Sequence, residues 1–179
     1  MKHGLDKRFA YWLLARKWVG SNPKRIFLAC GLAAALCSGW VSNTATAAMM
    51  FPICLGLLTS IKEMFAANGR DIDLHEYKYA TGLMLMTAYS CSIGGVLTPI
   101  GTPPNLIMLG FLNTMCDIHI SFFEWMTWGF IAMVVYFVIA YVVLSHMFPA
   151  DVDHIEGADT FIQNKLAELG AWNRAQKNT

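Results

Sequence analysis

Ser38-Gly39-Trp40-Val41-Ser42-Asn43-Thr44-Ala45-Thr46 is a polar cluster where a membrane helix should be most apolar. It sits in the middle of Ile26–Ile61, a stretch without a single Asp, Glu, Lys or Arg. One transmembrane helix takes about 20 residues. The stretch is too long for one span and slightly short for two spans with a turn. Two half-length helices account for both the length and the polar centre. They would enter from one side, turn at Ser42-Asn43-Thr44 and leave by the same side. Non-helical backbone at membrane depth is tolerated only where protein or a water-filled cavity covers it. The tip of such a re-entrant hairpin is therefore expected to line a site.

Two further stretches, Tyr79–Cys116 and Trp125–Ala150, are equally free of charge. The first is interrupted by Thr98-Pro99-Ile100-Gly101-Thr102-Pro103-Pro104-Asn105. Proline removes a backbone donor and biases the preceding residue away from helix, so this stretch predicts a discontinuous helix broken near mid-membrane. The second is uninterrupted and fits one tilted span. Only 14% of residues are charged and 56% are hydrophobic, against about 25% and 45–50% in soluble domains. A soluble domain, a disordered chain, a secreted disulfide scaffold and a nucleic-acid binder are excluded on these grounds. The expected fold is all-α and integral to the membrane: a re-entrant helical hairpin, a discontinuous transmembrane helix and one further transmembrane helix. The expected segments are 1–25 (basic, interfacial), 26–61 (hairpin), 62–78 (cytoplasmic linker), 79–116 (broken helix), 125–150 (span) and 151–179 (tail).

The chain carries 13 Lys and Arg. They flank the first stretch or follow the third. None lies between the second and third, where Asp117 and Glu124 sit. A hairpin places all of them on one face, as the positive-inside rule requires, whereas a single crossing splits them. The rule favours an even number of crossings without separating a hairpin from two short full spans. The polar tip and short arms favour re-entry. The expected location is the cell (inner) membrane, multi-pass, with both flanks cytoplasmic. No signal peptide is read at the basic N-terminus, because no short apolar core with a small-residue cleavage site follows it. In the tail, Ile162, Leu166 and Leu169 share a helical face and Gly170 is a stop signal. Cys30, Cys37, Cys54, Cys91 and Cys116 lie in apolar surroundings and read as reduced packing residues. Trp125, Trp128 and Tyr141 read as aromatic-belt anchors.

With no charged side chain in the three stretches, the chemistry falls to neutral oxygens and freed backbone groups. Hydroxyl, amide and carbonyl oxygens are hard ligands that suit Na+. Half-helix N-termini carry partial positive charge and suit an anion. A hairpin tip meeting a broken helix at mid-membrane is the kind of site secondary transporters use for a substrate with its coupling ion. Thr46, Thr98 and Asn105 are assigned structural roles. No nucleophile–base pair is visible, so a transporter is expected rather than an enzyme.

Ser42-Asn43-Thr44-Ala45-Thr46-Ala47-Ala48-Met49-Met50 resembles the Ser-Asn-Thr signature of the divalent anion/sodium symporter (DASS) family. Ser92-Ile93-Gly94-Gly95-Val96-Leu97-Thr98-Pro99-Ile100-Gly101-Thr102-Pro103-Pro104-Asn105 resembles that family's companion motif. The resemblance implies an inverted-repeat transporter fold. A transport domain would carry di- or tricarboxylate, or sulfate, by an elevator motion against a homodimeric scaffold. It implies an Na+ site built from the hydroxyls of Ser38 and Ser42, the Asn43 side chain and the Gly101 carbonyl. Asn43 and Thr44 would contact a substrate carboxylate, with Thr102 and Pro103 completing that side. The Gly101-Thr102-Pro103 form and the cytoplasmic hairpin indicate the first repeat. Family members carry two Ser-Asn-Thr motifs and this chain has one, so the second repeat and the early scaffold helices would come from elsewhere, in the same or another chain. The implied function is sodium-coupled transport of divalent organic anions, C4-dicarboxylates such as succinate, or of citrate or sulfate. The alternatives are a truncated, non-transporting membrane fragment or subunit, and a related ion transporter of the anion-exchanger or Na+/H+ antiporter type. The antiporters tend to carry Asp where Thr102 stands. The expected partners are the dianion, the lipid bilayer and the missing repeat, with no nucleic acid.

Overall fold

The computed structural model describes residues 10, 12–16, 18–67, 69, 72–150 and 162–164 of the 179-residue chain. Of the tail positions assigned to a helical face, Ile162 is described and is buried, while Leu166, Leu169 and Gly170 lie outside the described residues.

Helix α1 spans Pro23–Ser38. Asn22 stays extended before it, and its Oδ1 accepts from the Lys24 and Arg25 amides at 3.0 and 3.4 Å. Proline at the first helical position costs nothing, because the N–H it lacks would have no intrahelical acceptor. This cap starts the helix upstream of the apolar run. The helix is made of small residues on nearly every side: Ala29, Cys30, Gly31, Ala33, Ala34, Ala35 and Cys37 are all buried. Small side chains let neighbouring backbones approach, and α1 accordingly packs most extensively against the helix at Lys78–Gly94.

Helix α2 spans Asn43–Ala67. The turn before it occupies 39–42, slightly earlier than the expected tip at 42–44. Ser42 is the reason. Its hydroxyl accepts from the Ala45 amide at 3.4 Å and its carbonyl from the Thr46 amide at 3.0 Å, so Ser42 acts as the cap and Asn43 falls in the first turn. Met50, Ile53, Cys54, Leu57, Ile61 and Phe65 form the buried seam, at the three-and-four spacing of one helix face. The two arms are unequal, at 16 and 25 residues. The second is longer than half-length because the helix continues past Ile61 through Lys62 and Glu63, both good helix formers.

Helix α3 spans Lys78–Gly94 and lies against α1. Tyr79 donates its phenolic O–H to the Pro23 carbonyl at 2.8 Å. A Cβ at Gly94 would overlap the Ala35 backbone, so the two helices touch backbone to backbone there. Helix α4 spans Pro103–Cys116, and Asn105 is its buried residue. Helix α5 spans Phe122–Met147. It opens on a capping box: Ser121 Oγ accepts from the Glu124 amide at 3.3 Å, and Glu124 Oε2 accepts from the Ser121 amide at 2.7 Å. Its inner face, Met133, Phe137 and Leu144, is buried where it packs on α3.

The described chain is all-helical, and α2 and α5 are each long and apolar enough to cross a membrane. Leu106, Ile107, Met108 and Phe111 on α4, and Phe123, Trp128, Tyr136 and Ile139 on α5, are exposed. So extensive an apolar surface is stable only against lipid or further protein. Cys30, Cys37, Cys54 and Cys91 are buried free thiols, whereas Cys116 is exposed at the end of α4.

Ser90 is buried on α3, facing Gly31 of α1, and its hydroxyl has no hydrogen-bond partner among the described residues. A buried unpaired hydroxyl is costly, so Ser90→Ala is expected to raise the free energy of unfolding by about 1 kcal/mol. Thermal melting of the detergent-solubilised protein measures this. A lowered midpoint would show that the hydroxyl carries a bond.

Candidate cation and anion site at the helix break

The helix expected to break does so between Gly94 and Pro103. It stops well before the first proline. Gly95 follows in ordinary right-handed conformation, so the glycine pair is there for space and not for unusual backbone angles. A Cβ at Gly95 would fall on the Asn43 side-chain amide. The break and the hairpin turn thus meet face to face. Thr98 Oγ1 donates to the Gly39 carbonyl at 2.5 Å, and the Leu97 side chain packs on Gly39. A Cβ at Gly101 would lie 2.6 Å from the Gly95 carbonyl oxygen and 3.2 Å from that of Gly39.

Freed backbone carbonyls in the break are held by side chains. Asn105 Nδ2 donates to the carbonyls of Gly95 and Thr98, each at 2.8 Å. Trp125 Nε1 donates to the Val96 carbonyl at 3.1 Å. Trp125 is therefore engaged inside the protein by the end that an aromatic-belt anchor would present to the interface. Thr98 and Asn105 do the structural work expected of them.

Ser38, at the end of α1, is fully buried. Its Oγ lies 2.7 Å from Asn43 Oδ1 and 2.6 Å from the Cys91 carbonyl oxygen. A serine hydroxyl has one proton, so it can donate to only one of these acceptors. The Cys91 carbonyl also accepts the Gly95 amide at 3.2 Å, and one of the two short contacts of Ser38 Oγ is without a proton, an approach of oxygens of the kind a small hard cation relieves. Gly101 approaches the Gly95 and Gly39 carbonyls, and Gly95 in turn abuts the Asn43 side chain.

Groups of the kind that suit an anion lie at two helix starts. On α2, the first-turn amides lack intrahelical acceptors, and Thr44 is exposed there. On α4, Thr102 is the extended cap residue and its side chain makes no capping bond. Pro103 and Pro104 follow it and have no N–H. The α4 end therefore offers its dipole and the Thr102 hydroxyl, and Pro103 can offer only ring surface.

The structure thus brings Ser38 and Asn43 into contact, while Gly101 lies against the Gly95 and Gly39 carbonyls. Ser42 caps α2 next to Asn43 and is exposed. Thr44, Thr102 and Pro103 occupy the two helix starts, and no hydrogen bond joins Thr44 to Thr102 among the described residues. Sequence reasoning missed Gly95 and Trp125. The Gly94-Gly95 pair was a legible signal of close approach, whereas the acceptor for Trp125 was not.

A family model described as the sodium:sulfate symporter transmembrane region matches residues 1–179. The sodium-dependent dicarboxylate transporter SdcS of Staphylococcus aureus (strain USA300) is 32% identical over 160 residues, covering 89% of this chain and 30% of that protein. The sodium-dependent high-affinity dicarboxylate transporter 3 of Caenorhabditis elegans is 33% identical over 184 residues, covering 99% of this chain and 32% of that protein. The chain thus spans about a third of the length of these curated relatives. With a match along its whole length and a helix break seated on a Ser-Asn-Thr turn, the chain belongs to the sodium:sulfate, or divalent anion/sodium, symporter family.

Proposed function

We propose that this chain supplies the first-repeat half of the Na+ and substrate site in a sodium-coupled transporter of C4-dicarboxylates such as succinate. The supporting observation is the seating of the α3–α4 break on the hairpin turn, which crowds Ser38 Oγ, Asn43 Oδ1 and the Cys91 carbonyl oxygen. Ser38, Ser42, Asn43 and the Gly101 carbonyl hold the cation. Asn43 and Thr44 bind one carboxylate, the Thr102 hydroxyl donates to it, and Pro103 shapes the wall. No basic side chain stands in the apolar stretches, so the bound cation and the two helix ends supply the positive field that a dianion needs. The two named relatives are sodium-dependent dicarboxylate transporters, which favours succinate-like substrates over citrate or sulfate. Thr102 in place of an acidic residue favours an anion over proton or cation exchange.

In this reading α1 and α2 form the re-entrant hairpin, α3 with α4 the discontinuous helix, and both flanks are cytoplasmic in the cell membrane. A second repeat completes the site and a homodimeric scaffold carries it. The test is uptake of labelled succinate into proteoliposomes by a full-length transporter carrying this segment, with and without Na+. Equal uptake in choline would overturn sodium coupling. No saturable uptake in either would leave a non-transporting membrane subunit. Thr102→Ala is expected to raise the succinate KM about tenfold, the scale of a lost hydrogen bond to a charged group, with the amount of inserted protein unchanged. A parallel fall in insertion would assign Thr102 to structure.

A further inference from the structure

Trp125 and Gly129 are four residues apart on α5, and so share one face of that helix. That face lies against the break. Trp125 Nε1 donates to the Val96 carbonyl at 3.1 Å. Gly129 is buried, and a Cβ there would lie 2.6 Å from the Val96 carbonyl oxygen and 2.8 Å from that of Leu97. Val96 is flanked by the two residues that touch the hairpin. Gly95 abuts the Asn43 amide, and Leu97 packs on Gly39. One short segment is therefore clamped between α5 and the site.

We propose that Trp125 and Gly129 are positioning residues for cation binding: through the Val96 carbonyl they fix the break against Asn43, and so set sodium affinity without touching the ion. The proposal rests on the sodium site described above. Irregular backbone has no hydrogen-bond ladder of its own, so its geometry is set by outside donors. Asn105 supplies two such bonds within the broken helix itself, whereas Trp125 supplies one from the following helix. The bond also carries information from one element to another. A shift of α5 moves Val96, and Val96 moves the two contacts that hold Asn43.

The test uses Trp125→Phe, which keeps the aromatic ring and removes the N–H, in the full-length transporter. Two readouts are taken. The first, hydrogen exchange in detergent, needs no transport. The Leu97 and Gly101 amides, bonded within the break at 3.0 and 3.2 Å, are expected to exchange faster, while amides in the middle of α1 and α3 keep their protection. The second is the Na+ concentration for half-maximal succinate uptake, expected to rise about fivefold, the factor carried by one net hydrogen bond, with the maximal rate nearly unchanged. Gly129→Ala pushes on the same carbonyls and is expected to shift both readouts the same way. Unchanged exchange at Leu97 and Gly101 in Trp125→Phe overturns the proposal, as does an unchanged sodium dependence. A wild-type protein with no sodium-dependent uptake sinks the functional reading instead, and the exchange result still decides the clamp.

Discussion

Asn43→Ala is expected to abolish sodium-dependent succinate uptake, by at least about 100-fold, while the protein still inserts into the membrane. The magnitude follows from two losses at one residue. Its carboxamide is a proposed cation ligand and a proposed contact to the substrate carboxylate, and each interaction with a charged group is worth about 1.5–3 kcal/mol. Insertion is expected to survive because the other bonds of the turn and the break remain. Ser38 Oγ keeps the Cys91 carbonyl as acceptor at 2.6 Å. Thr98 still bonds the Gly39 carbonyl, and Asn105 still holds the break. The measurement pairs labelled-succinate uptake with the amount of protein in the membrane. Uptake within a few-fold of wild type would remove Asn43 from the site.

Much of this arrangement is legible in the sequence, and the boundary of legibility has a physical cause. Ser42-Asn43-Thr44 announces a turn, because so many polar groups are costly in the middle of a lipid-facing helix. Its register is less legible. The capping bonds of Ser42 decide whether Asn43 is the tip or the first turn of a helix, and hydrophobicity does not encode them. The prolines at 99, 103 and 104 announce a break and mark its end, since α4 begins at Pro103. They do not mark where α3 stops. That is set by contact with α1 and with Asn43, through Gly94 and Gly95, and contact between distant segments is invisible to a local reading. Trp125 is the clearest case. Indole near the start of an apolar helix reads as an interfacial anchor. Its actual acceptor is a carbonyl 29 residues away, exposed only because the helix has broken.

The adjacent glycines should fail in different ways, and the difference tests whether the break is built for a ligand or merely for packing. A methyl at Gly94 meets the Ala35 backbone. Backbone cannot step aside, so α1 and α3 must separate, and overpacking of this kind costs about 1–3 kcal/mol or more. Gly94→Ala is expected to lower the yield of folded, monodisperse protein sharply, read by size exclusion. A methyl at Gly95 meets instead the Asn43 side-chain amide, which can rotate away. Gly95→Ala is expected to fold, yet to lose at least about tenfold in apparent sodium affinity, because the displaced amide no longer lies 2.7 Å from Ser38 Oγ. If the methyl acts only by displacing that amide, it has nothing left to displace once the amide is gone. The Asn43→Ala, Gly95→Ala double variant should therefore bind sodium no worse than Asn43→Ala alone, a non-additivity expected only of residues in contact. Isothermal titration with Na+ on the two single variants and the double variant reads this directly. Additive losses would mean that Gly95 acts on the fold by a route that bypasses Asn43, and the cation site would then have to be sought away from the Ser38–Asn43–Gly95 contact.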